Sequence, residues 1–506
     1  MRRSSVIRDT IKLTLLQFVL ESITMLLNVW ITRQVGASIV GIVALTGSFF
    51  ALANTIAGGN AFLCVSRLVS EEIGKPVGDP NRVLRDAIWV CVGLSAVVTV
   101  LVVAFANGCS QHFFHQEGLA VPIRMMACML LPGSICACWK GYFNALRQGN
   151  LPAICDALEF GVRVLTLAVL LWSAKQYTAV SVCKMIAWSS ITATAFAFLF
   201  LWLAYHTQKQ QATGPVSISM KQYWKLAVPI MTGSWLTAAL SSANDALIPY
   251  TLKQFGDSTD MAFSQFGIFE AIVIPVLFFP STILCAMSGI LVSEVARAAA
   301  GNDRQRITRL TQKVIQTTLL FSFFIVGILM RFGSQIGVWM DGGQIAGRFI
   351  TLLAPVVPFI YLEIVLESII KGMGYQRFSS CNYLAEYVIR ISVVLICIPI
   401  WGFYGIVLSY YMSNVFGNCN RLRVTLKITG WKHGMMRSAG KMLFAVCFAF
   451  QVTELLMRCL PIAPNSLPYA AGFLLMAGCL YLFVLRLVLE KLPHLLRYFA
   501  TIRSAD

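Results

Sequence analysis

Charge is scarce in this sequence. Charged residues fill 12% of 506 positions, where a soluble domain carries about 25%. That shortage excludes an ordinary globular enzyme or binding module. Catalytic signatures are missing too: no Walker A loop, no H-E-x-x-H and no nucleophile elbow occurs, so ATP hydrolysis by this chain is not expected. A disulfide framework is excluded as well, because the 15 cysteines lie almost wholly within apolar runs. Cys136 and Cys138 are two residues apart and leave a helix in different directions. The short Cys109, His112, His115 loop is poor evidence for a metal, so no metal or cofactor is expected.

Apolar residues are what the chain has in abundance, at 58%. Runs such as 87–107 and 271–292 are long enough to cross a bilayer without a charge. Fourteen such spans can be placed between residues 11 and 485. The basic, then apolar, N-terminus contains Gln17, Glu21 and Asn28 and lacks a small-residue cleavage site. It therefore reads as a retained first span. The net charge of +18 invites a nucleic-acid role, but most Lys and Arg fall in the loops of one side. With both termini cytoplasmic this is the positive-inside pattern, and anionic lipid headgroups rather than nucleic acid are its expected partners.

An internal repeat lies beneath the spans. VSRLVSEEIG (65–74) resembles VSEVARAAAG (292–301) at a spacing of 227. The same spacing carries Glu159 and Arg163 onto Glu386 and Arg390, so EFGVR in span 5 answers EYVIR in span 11. RQVG (33–36) and KQFG (253–256) are 220 apart, and about seven residues inserted in the loop after Gly256 would reconcile the two spacings. The chain thus divides into a six-span lobe at 1–210, a second at 218–430, two additional spans within 438–490 and a cytoplasmic tail at 491–506. Six is even, so the copies are expected to be parallel. That arrangement suits a transporter with alternating access and a central site.

Several stretches in this order resemble the MOP flippase superfamily, in its stage V sporulation protein B-like and polysaccharide flippase branch. They are GGNAFLCVSRLVSEEIG (58–74), GYFNALRQGNLPAICDALEFGVRV (141–164) and KLAVPI (225–230). The resemblance spans about residues 10–490. It implies an all-α bundle of two six-helix repeats plus two C-terminal helices in a V-shaped arrangement, in the bacterial cytoplasmic membrane. It further implies that lipid-linked oligosaccharides or cell-envelope glycan precursors are moved through a cleft lined by spans 1, 2, 7 and 8. A MATE-like cation-coupled multidrug exporter is the alternative, and a non-transporting scaffold of envelope synthesis the second. The arginines that lipid II flippases place on spans 1, 2 and 8 are missing, and Glu270 stands in span 8 instead, which points away from lipid II.

Periodicity selects the cleft residues. Gln17, Glu21, Thr24 and Asn28 form one stripe on span 1. Ser234, Thr237, Ser241 and Asn244 form another on span 7, with Asp245 beside it. Polar stripes facing lipid are costly. A carboxylate among Glu21, Asp245 and Glu270 is therefore expected to bind or exchange a coupling H+ or Na+, with Arg33, Asn54 and Asn60 as weaker contacts. Glu159–Arg163 and Glu386–Arg390 have i,i+4 spacing with the acid first. Their duplication marks them as structural pairs within each lobe rather than as a site. Glu363, Glu367 and Lys371 read as an intrahelical ladder at the cytoplasmic end of span 10. A monomer is expected.

Overall fold

The computed structural model describes residues 3–73, 78–113, 118–146, 148–174, 176–208, 220–430, 435–459 and 466–487. His115 and the expected 491–506 tail lie outside them. The described residues form helices and no strands. In chain order they are α1 (Arg3–Val35), α2 (Ala37–Ile73), α3 (Pro80–Gln111), α4 (Ala120–Ala145), α5 (Asn150–Ser173), α6 (Ala179–Gln208) and α7 (Met220–Phe255). There follow α8 (Thr259–Ala300), α9 (Arg304–Trp339), α10 (Gly343–Gly372), α11 (Gln376–Trp401), α12 (Phe403–Thr429), α13 (Met435–Met457) and α14 (Leu467–Arg486).

Eleven described helices are long and apolar enough to cross a membrane. The other three, α1, α5 and α12, have the length but carry polar groups in mid-helix: Glu21 and Asn28, Glu159 and Arg163, Asn414 and Asn418. Side chains such as Trp89, Trp172 and Leu475 are largely exposed. In a bilayer they meet acyl chains, which satisfy them as water would not.

Local chemistry sets the helix ends and breaks. Asp79 caps α3 by accepting from the Asn81 and Arg82 amides at 3.1 Å, and Pro80 at the first position needs no partner for its nitrogen. α2 is broken at Gly59 and Asn60, both left-handed at φ 51° and 52°. Glycine adopts that conformation freely and asparagine more readily than most residues. α8 is broken by a π turn at Phe269–Val273 and a tight turn at Phe279–Ser281 that contains Pro280.

Element bounds recur at the spacing of 227. The second piece of α4 runs Leu130–Ala145 and that of α10 runs Val357–Gly372. The seven-residue difference expected after Gly256 lies mainly elsewhere. The loop there has three residues against one at Gly36, whereas α8 has 42 residues against 37 in α2. Most of the insertion is therefore absorbed by the broken helix, where the π turn takes up part of it without ending the helix.

The chain forms two compact units that divide between Ala271 and Ile272, within the π turn. In the first, α2 lies against the start of α8 at Gly41 and Gly267, where a Cβ on either would strike the partner's backbone. Such small-residue contacts let helices approach closely where lipid supplies no hydrophobic drive. A second core surrounds Tyr142, Phe143, Trp139 and Cys138, and the Tyr142 hydroxyl donates to Asn81 at 2.9 Å. In the second unit, α13 and α14 pack on α9 through Phe324, Phe450, Phe473 and Tyr481. Arg331 of α9 donates to Glu454 of α13 at 2.6 Å and lies against the Phe473 ring of α14. All 15 cysteines are free.

Candidate functional site

A cavity of about 430 Å³ opens in the first unit. It is lined by α1 (Asn28), α2 (Ser48), α7 (Ser241, Asp245) and the α8 π turn (Glu270). Asp245 is half-buried and organised by its neighbours. The Ser48 hydroxyl donates to one carboxylate oxygen at 2.5 Å, and the Asn244 amide donates to the other at 3.2 Å. The Asn28 amide donates to the Ala271 carbonyl at 3.4 Å, which ties α1 to the π turn. That turn carries Glu270, also half-buried, towards the cavity. No Lys or Arg is among the described residues that line the cavity. Two carboxylates, two serine hydroxyls and a carboxamide make a surface that attracts cations and accepts from sugar hydroxyls. A bare pyrophosphate would be repelled.

The structure thus brings Asn28, Asp245 and Glu270 together and leaves the other sequence candidates apart. Asn244, expected in the cleft-facing stripe, is buried and supports Asp245 rather than lining the cavity, whereas Asp245 lines it. Gln17 and Glu21 lie further along α1, exposed and away from this cavity, as does Arg33 near its other end. Asn54 is exposed on α2. Asn60 sits at the α2 break and donates to Ser234 of α7 at 2.9 Å, a helix-to-helix tether. Ser48 had no distinguishing signal in the sequence, since small hydroxyl residues serve packing as readily as sites.

The charged pairs form two clusters of different design. In the first unit Glu159 meets Arg163 at 3.0 Å and also Lys140 of α4 at 3.1 Å, while Lys140 reaches Asp156 at 2.6 Å. In the second unit Glu386 and Arg390 are 4.0 Å apart, and the closer partner of Glu386 is Arg421 of α12 at 2.9 Å. Arg421 is fully buried. It also meets Glu367 at 2.8 Å and Glu363 at 3.3 Å and lies over the Tyr383 ring. Arg390 instead donates to Ser413 at 3.0 Å and stacks on Tyr410. Gly417 makes room, because a Cβ there would strike the Glu386 carboxylate and the Arg421 guanidinium.

The expected surface ladder of span 10 is corrected by this geometry. Lys371 is 3.5 Å from Glu367, but both carboxylates turn inward to a cation from another helix. At the repeat spacing Lys140 corresponds to Glu367, and buried Thr194 corresponds to Arg421. The central cation comes from span 4 in one unit and from span 12 in the other.

Comparison with known proteins agrees with this architecture. Residues 6–248 match the family model described as polysaccharide biosynthesis protein. Stage V sporulation protein B of Bacillus subtilis (strain 168) is 21% identical over 78% of this chain and 78% of its own. Among solved structures, the lipid II flippase MurJ in an inward closed conformation aligns at a TM-score of 0.74 with 13% identity, over 95% of this chain and 99% of that one. The MATE multidrug transporter DinF-BH aligns at 0.64 with 16% identity, over 83% and 94%. The first half of the chain is thus similar to the polysaccharide biosynthesis proteins, most of the chain is similar to stage V sporulation protein B, and its all-helical fold is that of the MurJ and MATE structures.

Proposed function

We propose that the protein is a bacterial cytoplasmic-membrane flippase that carries a lipid-linked oligosaccharide or glycan precursor by alternating access, without covalent change. The cavity of Asn28, Ser48, Ser241, Asp245 and Glu270 carries this reading. It offers acceptors for sugar hydroxyls inside a membrane-spanning bundle of the flippase fold. Asp245 and Glu270 are the groups through which H+ or Na+ would bias the inward-open and outward-open forms, as bound ions shift such equilibria only by differential affinity. Both termini face the cytoplasm, the helices form two parallel six-span repeats, and the protein works as a monomer. Reconstitution with lipid-linked glycans, with and without a proton or sodium gradient, tests the proposal. Glycan translocation that accelerates under one gradient supports it. An absence of translocation with every lipid-linked glycan would refute it.

One observation favours a second reading. A cavity with two carboxylates and no cation among the described residues that line it also suits an organic cation, as in a multidrug exporter. Cells depleted of the protein would then gain sensitivity to cationic drugs. Under the flippase reading they accumulate lipid-linked precursors instead.

A further inference from the structure

A second cavity, of about 450 Å³, lies within the second unit, where α9 begins and α12 ends. Arg304 and Arg309 of α9 and Lys427 of α12 line it, together with Gln305, Thr308 and Gly430. The Thr308 hydroxyl donates to the Thr429 carbonyl at 2.6 Å and joins the two helices at its floor. Nearby cations are neutralised: Glu294 accepts from Arg306 at 2.8 Å and from Arg297 at 3.2 Å. Among the described residues, no carboxylate lies within ion-pair distance of Arg304, Arg309 or Lys427.

Local structure accounts for one of the three cations only in part, through the Arg309 Nε that donates to the Gln305 carbonyl at 3.4 Å. Asp303 already caps α9 by accepting from the Arg306 amide at 2.9 Å. The end of α12 is closed by left-handed Gly430, whose amide donates to Leu426. Three like charges around one cavity repel one another, and an anion with several acceptor oxygens relieves that repulsion. A cavity of this volume lies within the range of small-ligand sites. By the positive-inside pattern it faces the cytoplasm, where anionic headgroups create the surface potential.

We infer that this cavity is a binding site for a phosphate-bearing anion, the headgroup of an anionic phospholipid of the cytoplasmic leaflet, which braces α9 against α12. The full-length protein is placed in nanodiscs that contain phosphatidylglycerol or only phosphatidylcholine, and retained lipid is measured by native mass spectrometry. An Arg304→Gln, Arg309→Gln, Lys427→Gln variant is compared with an Arg297→Gln, Arg306→Gln variant, which removes neighbouring cations that Glu294 already holds. Equal melting of both variants in phosphatidylcholine establishes folding. The triple variant is expected to lose phosphatidylglycerol retention by about tenfold or more, since it removes all three cations that line the cavity, while the double variant changes less than about twofold. Equal losses in both variants would mean diffuse surface attraction and overturn the site. Inorganic phosphate that displaces phosphatidylglycerol from the protein, and protects it equally well from melting, would overturn the lipid as occupant.

Discussion

Replacing Arg421 with Met should cost the second unit about 3 kcal/mol of stability. Arg421 is fully buried and holds Glu363, Glu367 and Glu386 at 3.3, 2.8 and 2.9 Å. Breaking a buried ion pair by removing one partner costs about 3–5 kcal/mol, because the desolvated charge stays behind. Two carboxylates keep a second cation, Lys371 at 3.5 Å from Glu367 and Arg390 at 4.0 Å from Glu386, which sets the lower end of that range. Glu363 is left without one. The contact between Arg421 Nη1 and Glu386 Oε2 is close but not aligned as a hydrogen bond, so the Glu367 bond contributes more. A loss of about 3 kcal/mol lowers the ratio of folded to unfolded protein by roughly a hundredfold. Detergent-solubilised protein melted while its monodisperse chromatographic peak is followed should show a clear drop in transition temperature. Adding Glu363→Gln and Glu367→Gln should restore most of it, since Glu386 keeps Arg390 and no bare charge remains. Wild-type melting of Arg421→Met, or no recovery in the triple variant, would refute the reasoning.

Other expectations follow from the same geometry. Asp245→Asn should abolish gradient-driven transport while leaving the monodisperse yield unchanged, whereas Glu21→Gln, away from the cavity, should keep transport in the same vesicle assay. Lys140→Ala should cost only about 1 kcal/mol in a melt, because Glu159 keeps Arg163 and the cluster is partly exposed. Gly267→Leu should sharply lower the yield of folded protein, since its Cβ would meet the backbone of α2 at Ala37 and Gly41, and overpacking alone costs about 1–3 kcal/mol. Arg331→Ala should lower the melting temperature measurably, by removing the link from α9 to Glu454 of α13 at 2.6 Å.

The membrane fold was legible because each helix is a long apolar run or is bounded by charge, and the repeat was legible because charged residues recur in fixed register. The site was read less well. Periodicity found Asn28 and the Asn244–Asp245 neighbourhood, but it could not decide which of two adjacent residues faces the cavity. That depends on how α7 is rotated by packing against α2. Glu270 was visible as an isolated acid, whereas the π turn that presents it was not. Arg421 was missed for a definite reason. The apolar run of span 12 ends near residue 420, short of Arg421, whereas the helix continues to Thr429 and carries the arginine among three carboxylates. Lys140 lies within span 4 as expected, but neither its partner nor its burial follows from its own segment.

The Arg421 cluster also sets an order of events in the making of the protein. Glu363 and Glu367 are synthesised 58 and 54 residues before the cation that holds them. Helices α10 and α11 are apolar enough to enter the bilayer by themselves, while α12 is not. The first two therefore wait in the membrane with acids unsatisfied by Arg421, and those acids are what admits the third. Until Arg421 emerges, Glu363 and Glu367 lack the cation that they hold in the finished structure. Its arrival closes the ion cluster before α13 and α14 have been made.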